Sequence, residues 1–136
     1  MDTFSPTERS RIMAAVKSKD TTPELVVRKI VHALGYRFRL HADELPGSPD
    51  LVFPRLGAAI FVHGCFWHMH HCGRCRIPAT RADYWVAKLE RNARRDRRTR
   101  RQLRRLGWRT MVVWECQTQP AKRERLTARL ERFLGQ

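Results

Sequence analysis

Between the apolar run Ala58-Ala-Ile-Phe-Val62 and a long basic stretch beginning at Arg81, the chain crowds seven potential metal ligands into thirteen residues: His63, Cys65, His68, His70, His71, Cys72 and Cys75. So many His, Cys and Gly residues leave His63 to Thr80 no apolar period with which to form a helix or strand. What can order such a segment is a metal ion. A closed structural zinc site takes four Cys or His ligands, and Cys116 follows the last apolar run and can reach back to this loop. Cysteines that merely pack would be scattered singly over apolar segments. The N-terminus, Met1-Asp2-Thr3-Phe4-Ser5-Pro6, shows no apolar signal core, so a cytoplasmic, reducing setting with a metal site is expected rather than two disulfides.

The remainder punctuates itself clearly. Ser5-Pro6 opens a short amphipathic stretch to about Val16. Thr22-Pro23-Glu24 reads as N-cap, first helical residue and acidic first turn of a helix carrying Leu25, Val26, Ile30, Val31 and Leu34 and stopping at Gly35. Tyr36 to Leu40 alternates apolar and basic residues, as a half-exposed strand does. Asp50 to Pro54 and Ala58 to Val62 are two further strands, joined by a turn at Arg55-Leu56-Gly57. Arg81 to Leu106 is a long helix capped by Gly107, Trp108 to Trp114 is a buried strand, and Pro120 starts a last helix that ends near Leu134. The order α-β-β-β-α-β-α implies an α/β fold, a mixed sheet covered by helices on both faces. At 136 residues the chain is expected to form one domain with one core. No apolar run approaches a membrane span.

Charge narrows the partner. Twenty-eight Lys and Arg against thirteen Asp and Glu give a net charge of +15. The excess is clustered: Arg91, Arg94, Arg95, Arg97, Arg98, Arg100, Arg101, Arg104 and Arg105 lie within fifteen residues. A surface that is merely soluble has no need of such clustering, whereas a polyanion such as nucleic acid does.

Three further patterns carry chemistry. Pro49-Asp50 opens a strand whose neighbour ends at His63, so a carboxylate fixed there can hold Mg²⁺ against a phosphate; alone, Pro-Asp is also a common turn dipeptide. Phe66-Trp67 either plugs the metal-binding loop onto the core or projects into a partner, where an aromatic can wedge between base pairs. Trp85, Lys88 and Asn92 share one face of the long helix. They make a poor core stripe but a workable base-reading one, with a ring to stack and two groups to hydrogen-bond base edges. The arginine run beyond them reads as a solvated face that also meets phosphates.

At Leu45-Pro-Gly-Ser-Pro-Asp50, Phe61-Val-His-Gly-Cys-Phe-Trp-His68, Ile77-Pro-Ala-Thr-Arg81, Asn92 with Arg95-Asp96, and Leu106-Gly-Trp108 leading to Trp114-Glu-Cys116, the chain resembles the very short patch repair (Vsr) DNA mismatch endonucleases. The resemblance runs from Arg9-Ser10 to the final helix. It implies a restriction-endonuclease-like mixed sheet flanked by helices, with a structural zinc site. It implies an activity too: nicking of double-stranded DNA 5′ to the thymine of a T·G mismatch left by deaminated 5-methylcytosine. By resemblance, Asp50 is the main Mg²⁺ ligand with the backbone carbonyl of Val62, and His68 is the general base, with His63 beside it and Glu24 assisting the metal shell. Cys65, His70, Cys72 and Cys116 are the zinc ligands. Phe66, Trp67 and Trp85 insert beside the mismatch, Lys88 and Asn92 read the wobble pair, and Met13 lies against the minor groove. Residues 1–20 become a DNA-contacting segment and residues 21–136 the catalytic core of a monomer, with mismatch-repair proteins as further partners.

The chain departs from the family pattern at Val62, where Thr is usual. A backbone carbonyl survives that change, but a hydroxyl role does not. Cys75 adds a thiolate that could replace His70 in a four-cysteine site, although the family pattern favours His70. Where many nucleases of this fold place an acidic-x-Lys motif, this chain has Phe61-Val62-His63, so the lysine's task passes to histidine. Competing expectations are a non-catalytic zinc-stabilised DNA-binding module, a nuclease of the same fold acting on intact sites, and an RNA-binding zinc protein. For the last, no tandem finger spacing or RNA-module signature appears.

Overall fold

The computed structural model describes residues 20–68, 70, 72 and 77–136. The expected N-terminal stretch, with Met13, and the alternative ligand Cys75 lie outside the described residues. Helix α1 spans Thr22–Ala33. Its N-cap is Thr21 rather than the expected Thr22: the Thr21 hydroxyl accepts from the Glu24 N–H at 3.3 Å. The shift of one residue lets a threonine side chain satisfy a donor of the first turn and still leaves Pro23 at the start, where no N–H is needed. Leu34 is the C-cap, and Gly35 follows at φ +91°.

Four strands form one sheet in the order β1-β2-β3-β4: β1 Arg39–Leu40, β2 Leu51–Phe53, β3 Ala58–His63 and β4 Arg109–Trp114. β1 pairs antiparallel with β2, β2 antiparallel with β3, and β3 parallel with β4. The first strand is shorter than the alternation over Tyr36–Leu40 predicts. Tyr36 and Phe38 pack their rings on Phe53, at centroid distances of 6.5 and 6.0 Å, but only Arg39 and Leu40 join the ladder. Alternation there reports side-chain burial, which a chain can satisfy without backbone pairing.

A parallel step from β3 to β4 requires a crossover. It is made by the 64–81 loop and the long helix α2, Ala82–Arg105. After β4 come two short 3₁₀ turns, Glu115–Thr118 and Pro120–Lys122, and then α3, Arg123–Leu134. The expected last helix therefore opens as a 3₁₀ turn at Pro120. Side chains of period two divide the core. Leu51, Phe53, Ile60, Met111 and Val113 meet Val27 and Val31 of α1 and Leu126, Leu130 and Leu134 of α3. On the opposite face Val52 and Ala59 pack with Ala42, Leu45 and Trp108. The result is a mixed sheet flanked by helices, restriction-endonuclease-like, in which the C-terminal ends of β3 and β4 both open onto the metal-ligand-rich loop. Among the described residues no helix is long and apolar enough to cross a membrane.

Candidate active site and metal centre

A cavity of about 730 Å³ lies against the C-terminal half of β3, with α1, the 41–50 loop and α2 contributing its walls. Asp50, Glu24, His63, His68 and Val62 all line it. Asp50 stands at the start of β2, and its Oδ2 accepts the Val62 N–H at 2.7 Å. The antiparallel β2–β3 ladder, with Leu51 opposite Ile60, is what brings these two residues together. Thus Val62 turns its N–H to Asp50, whatever its side chain.

Glu24, only 1% exposed, comes from the first turn of α1. Its carboxylate is paired with Arg28 and meets His41 Nε2 at 3.1 and 3.2 Å. Arg28 also pairs with Asp20. Burial, and then the adjoining Glu24 carboxyl, push Asp50 up to about 7, against the Val62 N–H and the Arg28 charge, which favour its ionised form. Two carboxyls crowded in this way suit a divalent cation, which relieves their repulsion and recovers the cost of burying the charge.

Beside them, the rings of His63 and His68 are stacked, with centroids 3.7 Å apart and planes 5° from parallel. His63 ends β3 and is buried, and its Nδ1 has no hydrogen-bond partner among the described residues. Burial, then the charges of His68, Arg100 and Arg95, push it down to about 3, so the ring is neutral at physiological pH. His68 Nδ1 hydrogen-bonds Asp96 of α2. Burial opposes the Asp96 charge, but the hydrogen bond and attraction of His68 and the nearby Arg95 charge outweigh it and hold this carboxyl below its ordinary range. An imidazole anchored through Nδ1 leaves Nε2 as its working nitrogen.

A second cluster adjoins the first. Cys65, His70, Cys72 and Cys116 bring one donor atom each to within 4.8 Å of one another. None of the three thiols is in a disulfide. His70 Nδ1 is 3.5 Å from Cys65 Sγ and 3.6 Å from Cys116 Sγ. Zinc bonds of about 2.3 Å to sulfur and about 2.0 Å to nitrogen give tetrahedral edges of about 3.5 Å, so the donor set fits that ion. His70 is fixed by stacking on Trp114 at 4.1 Å and 7°. Burial, with Cys72 and Cys116 alongside, pushes the Cys65 thiol up to about 12, a proton that a bound metal would displace.

The aromatics pack together at the cavity edge. Phe66 and Trp67 meet edge-on at 5.0 Å, and Trp85 lies 5.7 and 6.1 Å from them. Trp85 is 8% exposed, so the stripe Trp85-Lys88-Asn92 does not face open solvent. It faces the loop: Asn92 donates to the Trp67 carbonyl at 3.2 Å, and Lys88 Nζ sits 5.6 Å from the centre of the Trp67 ring. Phe66 and Trp67 themselves are half-buried. Reading the sequence alone missed His41 and the role of Asp96 as partner of His68. His41 carries no spacing signal. Asp96 does, because it continues the Trp85-Lys88-Asn92 face by one more turn.

A mixed sheet flanked by helices, with acidic and histidine side chains gathered in one cavity, is of the restriction-endonuclease-like class. The sequence relations are narrower. A family model described as DNA mismatch endonuclease Vsr matches residues 1–74. The chain is 50% identical over 116 residues to the type II nicking enzyme V.XorIIP of Xanthomonas oryzae, covering 85% of each protein. It is 40% identical to the DNA mismatch endonuclease Vsr of Escherichia coli, over 98% of this chain and 87% of that one. It is 37% identical to the type II nicking enzyme V.NmeAIP of Neisseria meningitidis, over 85% and 83% of the two chains. The chain belongs to the Vsr family of DNA mismatch endonucleases.

Proposed function

We propose that this protein nicks one strand of duplex DNA 5′ to the thymine of a T·G mismatch arising from deaminated 5-methylcytosine, by Mg²⁺-dependent hydrolysis in very short patch repair. The observation that carries this reading is the convergence of Asp50, Glu24, His63 and the His68–Asp96 pair on one cavity. It is supported by relatives named as a mismatch endonuclease and as nicking enzymes.

Asp50 and the Val62 carbonyl would hold Mg²⁺, with Glu24 in its outer shell. Bound there, the ion would neutralise phosphate charge and acidify water. His68 accepts the attacking water's proton at Nε2, because Asp96 engages Nδ1. The neutral His63 ring, stacked beside it, helps hold that imidazole in place and keeps a second positive charge from opposing its protonation. Cys65, His70, Cys72 and Cys116 would hold Zn²⁺. Held by these four side chains, it would fix the loop that carries both His68 and the aromatics.

Phe66, Trp67 and Trp85 would enter the helix stack at the mismatch. A mispair stacks poorly, so opening it costs less than opening a matched step. Lys88 and Asn92 would then exchange their contacts with Trp67 for contacts with base edges, and Met13 would lie against the minor groove.

The test is Asp50→Asn. It should keep zinc and bind T·G duplex as tightly as wild type, yet lose nicking by at least about a hundredfold, as expected when charge stabilisation at the phosphate is removed. Strong residual cutting would remove Asp50 from the centre of the chemistry.

A further inference from the structure

The arginine run of α2 is not uniform. Arg97, Arg98, Arg101, Arg104 and Arg105 are exposed on the helix surface, whereas Arg100 is half-buried and lines the same cavity as Asp50 and His68. Its place follows from helical spacing. Arg100 lies four residues beyond Asp96, on the same face, and Asp96 is bonded to His68. Arg100 therefore stands one turn, about 6 Å, along the helix wall from Asp96.

That wall is held closely against the sheet. Thr99 packs where Gly47 has no side chain: a Cβ there would sit 2.2 Å from Thr99 Cγ2 and 3.3 Å from a Phe61 ring carbon. Gly47 thus lets this turn of α2 approach the 41–50 loop, and Arg100 is carried in with it. Arg100 forms no ion pair with any carboxylate among the described residues. Its neighbour Arg95, also at the cavity, is exposed and acts on Asp96.

We infer that Arg100 is a further catalytic residue, a guanidinium that binds a non-bridging oxygen of the scissile phosphate from the helix wall while the Asp50 side holds the phosphate from the sheet wall. The inference rests on the hydrolytic function proposed above. In the step it serves, the water oxygen bonds to phosphorus as the bond from phosphorus to the leaving sugar oxygen breaks. The water proton passes to His68, and the leaving oxygen takes a proton from solvent. Arg100 exchanges no atom. It stabilises the negative charge on the non-bridging oxygens, and a planar two-donor group suits that geometry better than a point charge. A half-buried cation on the wall of this cavity, with no ion-pair carboxylate of its own among the described residues, needs no partner removed before it meets that charge.

The experiment is single-turnover nicking of a T·G duplex by excess protein, with the duplex affinity measured separately without Mg²⁺. Arg100→Ala should slow the saturated rate about a hundredfold while changing affinity no more than about threefold. Arg100→Lys should recover part of the rate. Phosphorothioate substitution of the non-bridging oxygen that Arg100 contacts should slow wild type more than Arg100→Ala. Zinc content and melting temperature equal to wild type would show that both variants fold; were Arg100→Ala to fold poorly, Arg100→Lys and the thio-substrates carry the same comparison. A loss confined to affinity and its salt dependence, with an unchanged saturated rate, would make Arg100 one more backbone contact and overturn the inference. Wild-type protein that fails to nick this duplex would overturn the hydrolytic function as well. A wild type that nicks, with Arg100→Ala equally fast, overturns only the role of Arg100.

Discussion

Asp50 is pulled two ways in the metal-free protein. Burial and the Glu24 carboxyl favour its protonated form, and the Val62 N–H favours the carboxylate, with the balance near 7. Two pH effects follow. Because the folded value is raised above the ordinary 3.8, the folded protein holds this proton more tightly than the unfolded chain. Its contribution to stability is complete at low pH and is lost as pH rises through about 7. Asp50→Asn, which mimics the protonated carboxyl, should therefore raise the melting temperature of metal-free protein more at pH 8 than at pH 5. A gain independent of pH would mean that Asp50 is not the strained carboxylate. The second effect concerns the cation. If Asp50 holds Mg²⁺, binding must displace the proton below about pH 7, so apparent affinity should fall about tenfold per pH unit there. A titration followed by calorimetry at pH 5.5, 6.5 and 7.5 reads this directly. His63 is displaced in the opposite sense, down to about 3. Between that value and about 6.5 the unfolded chain binds the proton first, so this residue favours folding less as pH falls through that window.

In the proposed function the loop between β3 and α2 and the helix itself divide the work of binding DNA. Base–aromatic stacking is worth about 1–3 kcal/mol per ring. Trp67→Ala should weaken binding to T·G duplex far more than to matched duplex, compressing the preference for the mismatch. Equal losses on both would show that Phe66 and Trp67 serve only to pack the loop against Trp85. The exposed arginines of α2 should behave differently. Arg98→Ala or Arg101→Ala should weaken matched and mismatched DNA alike and reduce the salt dependence of binding by about one counterion each. If either change abolished mismatch preference alone, that part of the helix would not be a backbone contact. Gly47 links loop to helix. Its φ of +74° and the 2.2 Å approach a Cβ would make to Thr99 predict that Gly47→Ala is destabilising, by about 1–3 kcal/mol, and that it moves the Arg95–Arg100 turn away from the cavity. Chemical denaturation with parallel nicking rates would register both.

In the whole molecule, what the sequence made legible was set by local rules. Helix α2, the apolar strands β3 and β4, and the order α-β-β-β-α-β-α follow from periodicity and from stops such as Gly35 and Gly107, and the structure agrees with them. The zinc-type cluster was legible because seven His and Cys residues in thirteen have no use in a core; the structure groups Cys65, His70, Cys72 and Cys116. Non-local geometry was not legible. Nothing around His41 announces that it will meet Glu24, because that contact depends on α1 crossing the 41–50 loop. Nor does the sequence reveal that Arg100 differs from the eight arginines around it, since the difference is made by the fit of Thr99 onto Gly47. Tyr36 to Phe38 was misjudged as strand because alternation records burial, not pairing. If Cys65, His70, Cys72 and Cys116 hold Zn²⁺ as proposed, that ion orders the loop carrying His68, so chelation is expected to lower the melting temperature, since a structural site contributes on the order of 10–16 kcal/mol in small domains, and to abolish nicking that added Mg²⁺ cannot restore. The most direct measurement is nicking, with mapped product ends, of two duplexes of the same sequence that differ only in carrying T·G or C·G at one position. Mg²⁺-dependent cleavage of the thymine strand alone, immediately 5′ to that thymine, with the C·G duplex left intact, is the predicted result; equal cleavage of both duplexes, or none of either, would contradict it.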